Sequence, residues 1–291
     1  MRRRYELAFA VTFLLALALP ASGFAQAWIH DPGDGYLEAN FRQISGDQYF
    51  NDDGDFRTIA NTYTQSTVGI YGEVGVVPRW LMLTVDGELF RHNKLAKQGA
   101  TSGLGDMGFG AWTGLLQDRF KLTAGVRLGF PTGDPKPTAP GDDTEADLIA
   151  ATLPTGDGFY DVTGSLAWGI SIAGEGWPIQ NYLTGAVGYE YRTEGFQDAL
   201  QWRFELGTRI PVVVLERIWF AMRISGLHPL GDGSGSSFSG LGANAAYVSP
   251  GFGIAADIYA GLGLKASVEG AVYAKNVIAA VPWQVGIYYD F

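Results

Sequence analysis

From Phe120 to Phe130 the chain alternates without a break. Phe120, Leu122, Ala124, Val126, Leu128 and Phe130 fall on one face of an extended strand, and Lys121, Thr123, Gly125, Arg127 and Gly129 on the other. Side chains of a strand point to opposite faces with period two, so such a segment has one apolar and one polar side. Trp80 to Phe90 repeats the design, with Leu81, Leu83, Val85, Gly87 and Leu89 opposing Met82, Thr84, Asp86, Glu88 and Phe90. Leu200 to Arg209 does so again, with Leu200, Trp202, Phe204 and Leu206 against Gln201, Arg203, Glu205, Gly207 and Arg209.

Reading the whole chain this way predicts twelve strands, near 35 to 45, 61 to 76, 80 to 91, 104 to 116, 119 to 130, 159 to 172, 180 to 192, 199 to 210, 217 to 227, 241 to 256, 262 to 274 and 281 to 291. Helical amphipathicity is scarce. The longest uncharged run, Gly233 to Ala256, holds six Gly, five Ser and one Pro, which suits loop and strand. Connections alternate between short turns, such as Val77-Pro78-Arg79 and Gln117-Asp118-Arg119, and longer polar, Gly-rich loops. Short turns at one end and long loops at the other describe an all-β, antiparallel, up-and-down transmembrane barrel of the outer-membrane type.

The charges decide between that and a soluble sandwich. Only 17% of residues are charged, against roughly 25% in an average soluble domain. Eighteen charges fall on the polar faces of the strands: Glu38, Arg42, Glu73, Asp86, Glu88, Asp106, Lys121, Arg127, Asp161, Glu190, Arg192, Arg203, Glu205, Arg209, Arg223, Lys265, Glu269 and Asp290. The apolar faces carry almost none away from strand ends. A sandwich buries its apolar face, whereas a membrane barrel turns it to lipid and keeps a polar lumen. These residues, with Met82, Phe90 and Trp112 on the same faces, are therefore expected to line a lumen. Eight of the eighteen charges are basic and ten acidic, so pairing across the interior is expected and strand charges alone predict no strong ion selectivity.

The first residues read as an address. Arg2 to Arg4 precede an apolar run from Leu7 to Leu19 that Pro20 ends, the pattern of a secretory signal peptide. Thirteen apolar residues span only about 20 Å of a ~30 Å hydrocarbon core. Ala25-Gln26-Ala27 offers cleavage after Ala27, with cleavage after Ala25 a close competitor. Removing residues 1 to 27 leaves a barrel of residues 28 to 291 with 17 basic and 29 acidic residues, net −12. The final strand alternates Trp283, Val285, Ile287, Tyr289 and Phe291 with Gln284, Gly286, Tyr288 and Asp290. A terminal Phe291 after such alternation resembles the signal read by the barrel-assembly machinery. Trp80, Phe130, Trp177, Trp219 and Trp283 lie near strand ends, where aromatic girdles meet the membrane interface.

Other chemistries find little support. No cysteine is present, which excludes disulfides, thiolate metal sites and a thiol nucleophile. The acidic balance, net −10 for the whole chain, argues against nucleic acid as a partner. His30, His92 and His228 have no companions at metal-ligand spacing. No G-x-S-x-G occurs, and no His, Ser and acid grouping assembles at one rim, so the chain is not expected to be an enzyme. No cofactor or metal is expected. Asn51-Asp52-Asp53-Gly54-Asp55 hints at calcium, but Tyr49 stands where an oxygen ligand is required, and a solvated acidic loop fits better. Gly103, Gly105 and Gly108 form a nominal G-x-G-x-x-G without the strand-then-helix context of a dinucleotide site. They suit a strand bent at the barrel rim, with Asp106 facing the lumen. The long loop 131 to 158 carries Asp134, Asp142, Asp143, Glu145, Asp147 and Asp157 against Lys136. Its apolar patch Leu148 to Ala151 would let it fold inward as a constriction. Equally, it could stay a surface loop bridged through divalent cations to lipopolysaccharide, which with outer-membrane lipid is an expected partner.

Thr101 to Leu116 (TSGLGDMGFGAWTGLL), followed by a strand and Gly129-Phe130-Pro131-Thr132-Gly133-Asp134, resembles the outer-membrane family named for the MetA pathway of phenol degradation. Members open one strand with G-L-G-D and close the next with L-P-T-G-D. The resemblance covers about 35 residues directly. The chain departs in Trp112-Thr113, where Lys-Tyr or Arg-Tyr is common, and in the acidic insert after PTGD. The resemblance implies an outer-membrane channel or facilitator for passive uptake of small, hydrophobic or aromatic solutes. A structural or adhesive barrel with a plugged lumen is the alternative.

Overall fold

The computed structural model describes residues 26–135, 153–172, 179–211, 217–231 and 245–291. The signal segment through residue 25, the patch Leu148 to Ala151 and Trp177 lie outside the described residues. Among the described residues there is no helix.

Fifteen strand segments occur in the order β1 (Gly35–Phe50), β2 (Phe56–Val77), β3 (Leu81–Leu95), β4 (Gly99–Gly103), β5 (Met107–Gln117), β6 (Phe120–Phe130), β7 (Asp161–Ile172), β8 (Gln180–Arg192), β9 (Ala199–Ile210), β10 (Arg217–Pro229), β11 (Ala246–Tyr259), β12 (Leu262–Glu269), β13 (Tyr273–Lys275), β14 (Val277–Ile278) and β15 (Trp283–Asp290). Every ladder between them is antiparallel, and the circuit closes because β15 pairs with both β12 and β1, for example Val285 with Ala266 and with Phe41. Twelve wall strands result, with β4 continuing β5 along β3 and the short β13 and β14 extending the rim above β11 and β1. Closure removes the edge strands that would otherwise leave backbone donors and acceptors unpaired in lipid.

The wall is apolar outside and polar inside. Val126, Leu128, Phe204, Leu206, Leu264, Val285 and Ile287 are exposed on the outer face, while Glu38, Glu73, Thr163, Glu205, Arg223 and Lys265 are buried on the inner one. Aromatic rings cluster on the outer surface, as in Phe120 against Trp168 and Trp168 against Phe204.

Two expectations change. Phe90 was expected inside, yet it is exposed and pairs with Val68 on the outer face, whereas Arg91 is buried. The register jumps between Val68/Phe90 and Gly69/Glu88, so Leu89 is an inserted residue. A bulge adds one residue to one strand and inverts the facing of everything beyond it. Trp219, expected in an interfacial girdle, instead points inward, where its indole Nε1 donates to Asp257 Oδ2 at 3.2 Å.

Candidate functional site in the barrel lumen

The inner face is built from short repeats in which an aromatic or basic residue and an acid stand two positions apart. Period two puts such pairs on the same side. Tyr36 donates to Glu38 (2.9 Å) and Tyr71 to Glu73 (2.8 Å). Arg192 grips Glu190 through Nε and Nη2 at 2.8 and 3.0 Å, and Arg203 meets Glu205 at 3.3 Å. Other pairs cross between strands. Arg127 on β6 makes a two-nitrogen fork to Asp86 of β3 (2.9 and 2.7 Å) and a third bond to Asp161 of β7 (2.9 Å). Lys265 of β12 bonds Glu38 of β1, both side chains almost fully buried. Carboxylates pinned by forked guanidiniums and phenols hold their geometry better than single contacts.

These contacts sort by height. Toward the long loops lie Arg91–Glu88, Arg127–Asp86–Asp161 and Arg192–Glu190. Toward the short turns lie Lys265–Glu38, His30–Glu73 and Arg217–Asp257, with the phenols of Tyr182 on Glu205 and Tyr288 on Asp257. Between them stand Arg42, Arg203, Arg223 and Glu269 around one cavity. Trp112 and Met82 are buried together with Ala167. Arg209 faces inward and stacks over the Trp219 ring at 4.9 Å, and Lys121 bonds the carbonyl of Gln117 near the short-turn end. Asp290 borders the lower cavity with His30.

Two inserts enter the lumen. At the short-turn end, residues 26 to 34 run up inside the wall. Gln26 and Ala27 are buried, Thr123 donates to the Gln26 carbonyl (2.7 Å), and Gln117 reaches the Ala27 carbonyl (3.4 Å). Trp28 meets Tyr182 edge-on, and Ile29 packs on the Met82–Trp112 cluster. His30 Nε2 lies 2.9 Å from Glu73 Oε1, and Gly33 and Asp34 exchange backbone bonds with Gly75. Glycine is required on the wall here. A Cβ at Gly75 would stand 2.3 Å from the Asp31 carbonyl oxygen, and one at Gly169 2.5 Å from the Trp28 ring.

At the other end, the last residues of the loop before β7 fold inward. Leu153 is fully buried with Tyr63, Leu95 and Ile278. Its carbonyl accepts from Thr101, and the Pro154 carbonyl accepts from Asn93 Nδ2 at 2.7 Å. Asp106 acts as a bracket, its two carboxylate oxygens accepting the backbone N–H groups of Gly133 (2.9 Å) and Asp157 (2.6 Å). The strand is interrupted at Leu104 to Asp106, where Gly105 donates to the Glu88 carbonyl at 2.8 Å. The paired GLGD and PTGD segments are thus two halves of one joint. In the β1–β2 connection, Asn51 Oδ1 accepts from the N–H of Asp53 (3.1 Å) and Asp55 (2.7 Å), which closes a turn.

Inward folding of the long loop was one of two readings open from the sequence, whereas the N-terminal insert was not foreseen. Residues 26 to 34 have no periodicity to read, and Gly75, where the segment's backbone comes close, is one of three glycines in its strand and so gives no distinct signal.

The fold and its inverted polarity define the class, an outer-membrane β-barrel. Among solved structures the chain is similar to an outer membrane channel from Pseudomonas putida F1, with a TM-score of 0.63 and 13% identity over 93% of this chain and 100% of that one. The β domain of the Bordetella autotransporter BrkA matches with a TM-score of 0.49 and 14% identity over 89% and 99% of the two chains. At such identities the likeness is one of fold. No known family profile and no curated protein matches this chain.

Proposed function

We propose that this barrel is a passive channel for small solutes, exported to the outer membrane and stoppered at its short-turn end by residues 26 to 34. The observation that carries this reading is that segments from both ends enter the lumen of a wall whose ladder closes on itself. The wall closes without the N-terminal segment, which touches it through a handful of bonds, chiefly those of Thr123, Glu73 and Gly75. Cavities of about 230 and 370 Å³ lie along it.

The lining favours solutes with an apolar, flat body. Tyr182 and Trp219 line the lower cavity and Trp112 the middle one, and aromatic surfaces pair well with aromatic ligands. This agrees with the hydrophobic or aromatic solutes implied by the GLGD–PTGD resemblance. Planar-bilayer recording of the refolded protein tests the reading. Small unitary currents that grow when residues 26 to 32 are deleted, and that phenol reduces, are expected. A barrel that stays silent with and without the segment overturns it and favours a structural or adhesive role.

A further inference from the structure

Arg223 stands apart from the other inner charges. It is buried, with 8% of its surface exposed, and its Nε has no hydrogen-bond partner among the described residues. No carboxylate among the described residues lies within ion-pair distance of it. The acids nearest in the ladder are committed elsewhere. Glu205, its register partner on β9, takes the Tyr182 phenol at 2.7 Å and Arg203 at 3.3 Å. Glu269 stands 3.9 Å from Arg42.

Arg223 lines a cavity of about 370 Å³ together with Arg42, Arg127 and Arg203, against Glu269 as its one acid. Arg127 is saturated by Asp86 and Asp161. Arg203 holds Glu205 and Arg42 stands 3.9 Å from Glu269, so of the four guanidiniums Arg223 alone has no carboxylate partner among the described residues. Burying a guanidinium without a partner is costly, and the natural remedy is an anion that accepts from it. Around these cations the cavity is lined by neutral side chains, among them Gln201 and Ser225, and by the rings of Trp112 and Tyr247.

We infer that this mid-lumen cavity is a binding site for a small carboxylate with a flat apolar body, its carboxylate held by Arg223 and Arg203 and its body against Trp112 and Tyr247. A planar guanidinium matches a carboxylate through two parallel bonds, which a neutral or cationic analogue cannot form. The site lies above the N-terminal segment and below the Asp106 joint, so a solute crossing the barrel meets it midway. The inference refines the channel reading by naming a substrate class and rests on it for the direction of travel.

Equilibrium titration of the refolded full-length protein with benzoate, benzyl alcohol and benzylammonium, three probes of one shape and different charge, tests the site. Benzoate is expected to bind saturably and at least tenfold more tightly than the other two. Arg223→Gln is expected to weaken benzoate about tenfold or more, Arg223→Lys less, and Arg57→Gln, at an exposed position beyond the lumen, not at all. Equal binding of the three probes by the wild-type protein overturns the site, as does benzoate binding unchanged in a folded Arg223→Gln. Should that variant fail to fold, the wild-type comparison and Arg203→Gln decide. Bilayer currents separate the two readings. A silent barrel that prefers benzoate refutes the channel and keeps the site, and a conducting barrel indifferent to benzoate does the reverse.

Discussion

The hydroxyl of Thr123 donates to the backbone carbonyl of Gln26 at 2.7 Å, inside the barrel and with neither side chain exposed. Ala27, next in the chain, is fully buried. Cleavage after Ala27 would discard both residues and leave the Thr123 hydroxyl only its longer bond, 3.4 Å, to the Ala167 carbonyl. Export processing is therefore expected after Ala25, with Gln26 as the first mature residue. Mass spectrometry of protein purified from outer membranes checks this, and a mature chain beginning at Trp28 would show that the Thr123 contact is not used.

Gly169 sets how closely Trp28 can approach the wall. A Cβ there falls 2.5 Å from the ring edge and 3.0 Å from the Ala27 Cβ, so Gly169→Val must push the segment off. Its outward neighbours on β7 are untouched, so the barrel is expected to fold normally and to conduct more than wild type, approaching the variant that lacks residues 26 to 32. Unchanged unitary conductance in the folded Gly169→Val protein would show that this contact does not hold the stopper.

The wall was legible in the sequence, the loop insert only as one of two readings, and the N-terminal insert not at all, for a physical reason. Twelve strands follow from period-two alternation, because lipid outside and water inside act on every residue of a wall strand. Leu89 shows where this fails: a bulge is set by the partner strand, so Phe90 reads as inward until its pairing with Val68 is known. Trp219 reads as an interfacial aromatic because its type suits that role, and only its register beside Arg209 reveals that it faces Asp257. The Tyr36-Glu38 and Tyr71-Glu73 pairs carry a readable signal, two polar residues at strand spacing. By contrast, the Asp106 joint spans 51 residues to Asp157, and although GLGD and PTGD stand out as motifs, nothing local shows that they meet.

Acidity acts on the stopper through His30. Its hydrogen bond to Glu73 holds its pKa above the usual 6.5, burial opposes this, and the charges of Glu73, Asp290 and Asp34 add to it. A raised histidine favours the docked, protonated form. The contact is at full strength below about pH 6.5 and is lost as pH rises through the docked-state value. Conductance is expected to climb between neutral and mildly alkaline pH, and His30→Gln to flatten that rise. A wild-type pH profile matching that of His30→Gln would remove His30 from the account.

At the opposite rim a carboxyl responds to pH in the same direction. Asp157 is pushed up to about 6 from 3.8, chiefly by burial, with Asp106 and Glu88 adding to the shift and Arg91 and Arg192 resisting it. Its Oδ1 is buried without a partner. The docked segment thus prefers the protonated acid, is strongest below about pH 3.8, and weakens as pH rises toward 6. Asp157→Asn is expected to keep the segment docked at neutral pH and to abolish this dependence. Hydrogen exchange of residues 153 to 159 across pH 4 to 7, corrected for intrinsic rates, reads both effects.

Asp106 supplies the strongest test of the joint itself. Its carboxylate is the shared acceptor for Gly133 and Asp157, one residue from each end of the long loop. Hydrogen bonds to a charged group contribute about 1.5–3 kcal/mol each. Asp106→Ala removes both acceptors, so amides of Thr155 to Asp157 are expected to exchange at least tenfold faster, while Asp106→Asn, which keeps one carbonyl oxygen, falls between. Because β5 and β6 stay paired from Met107–Phe130 to Gln117–Lys121, the urea midpoint of the barrel should barely move. Loss of protection confined to the loop ends would assign Asp106 to the joint. A fall in global stability of the same size would assign it to the wall instead.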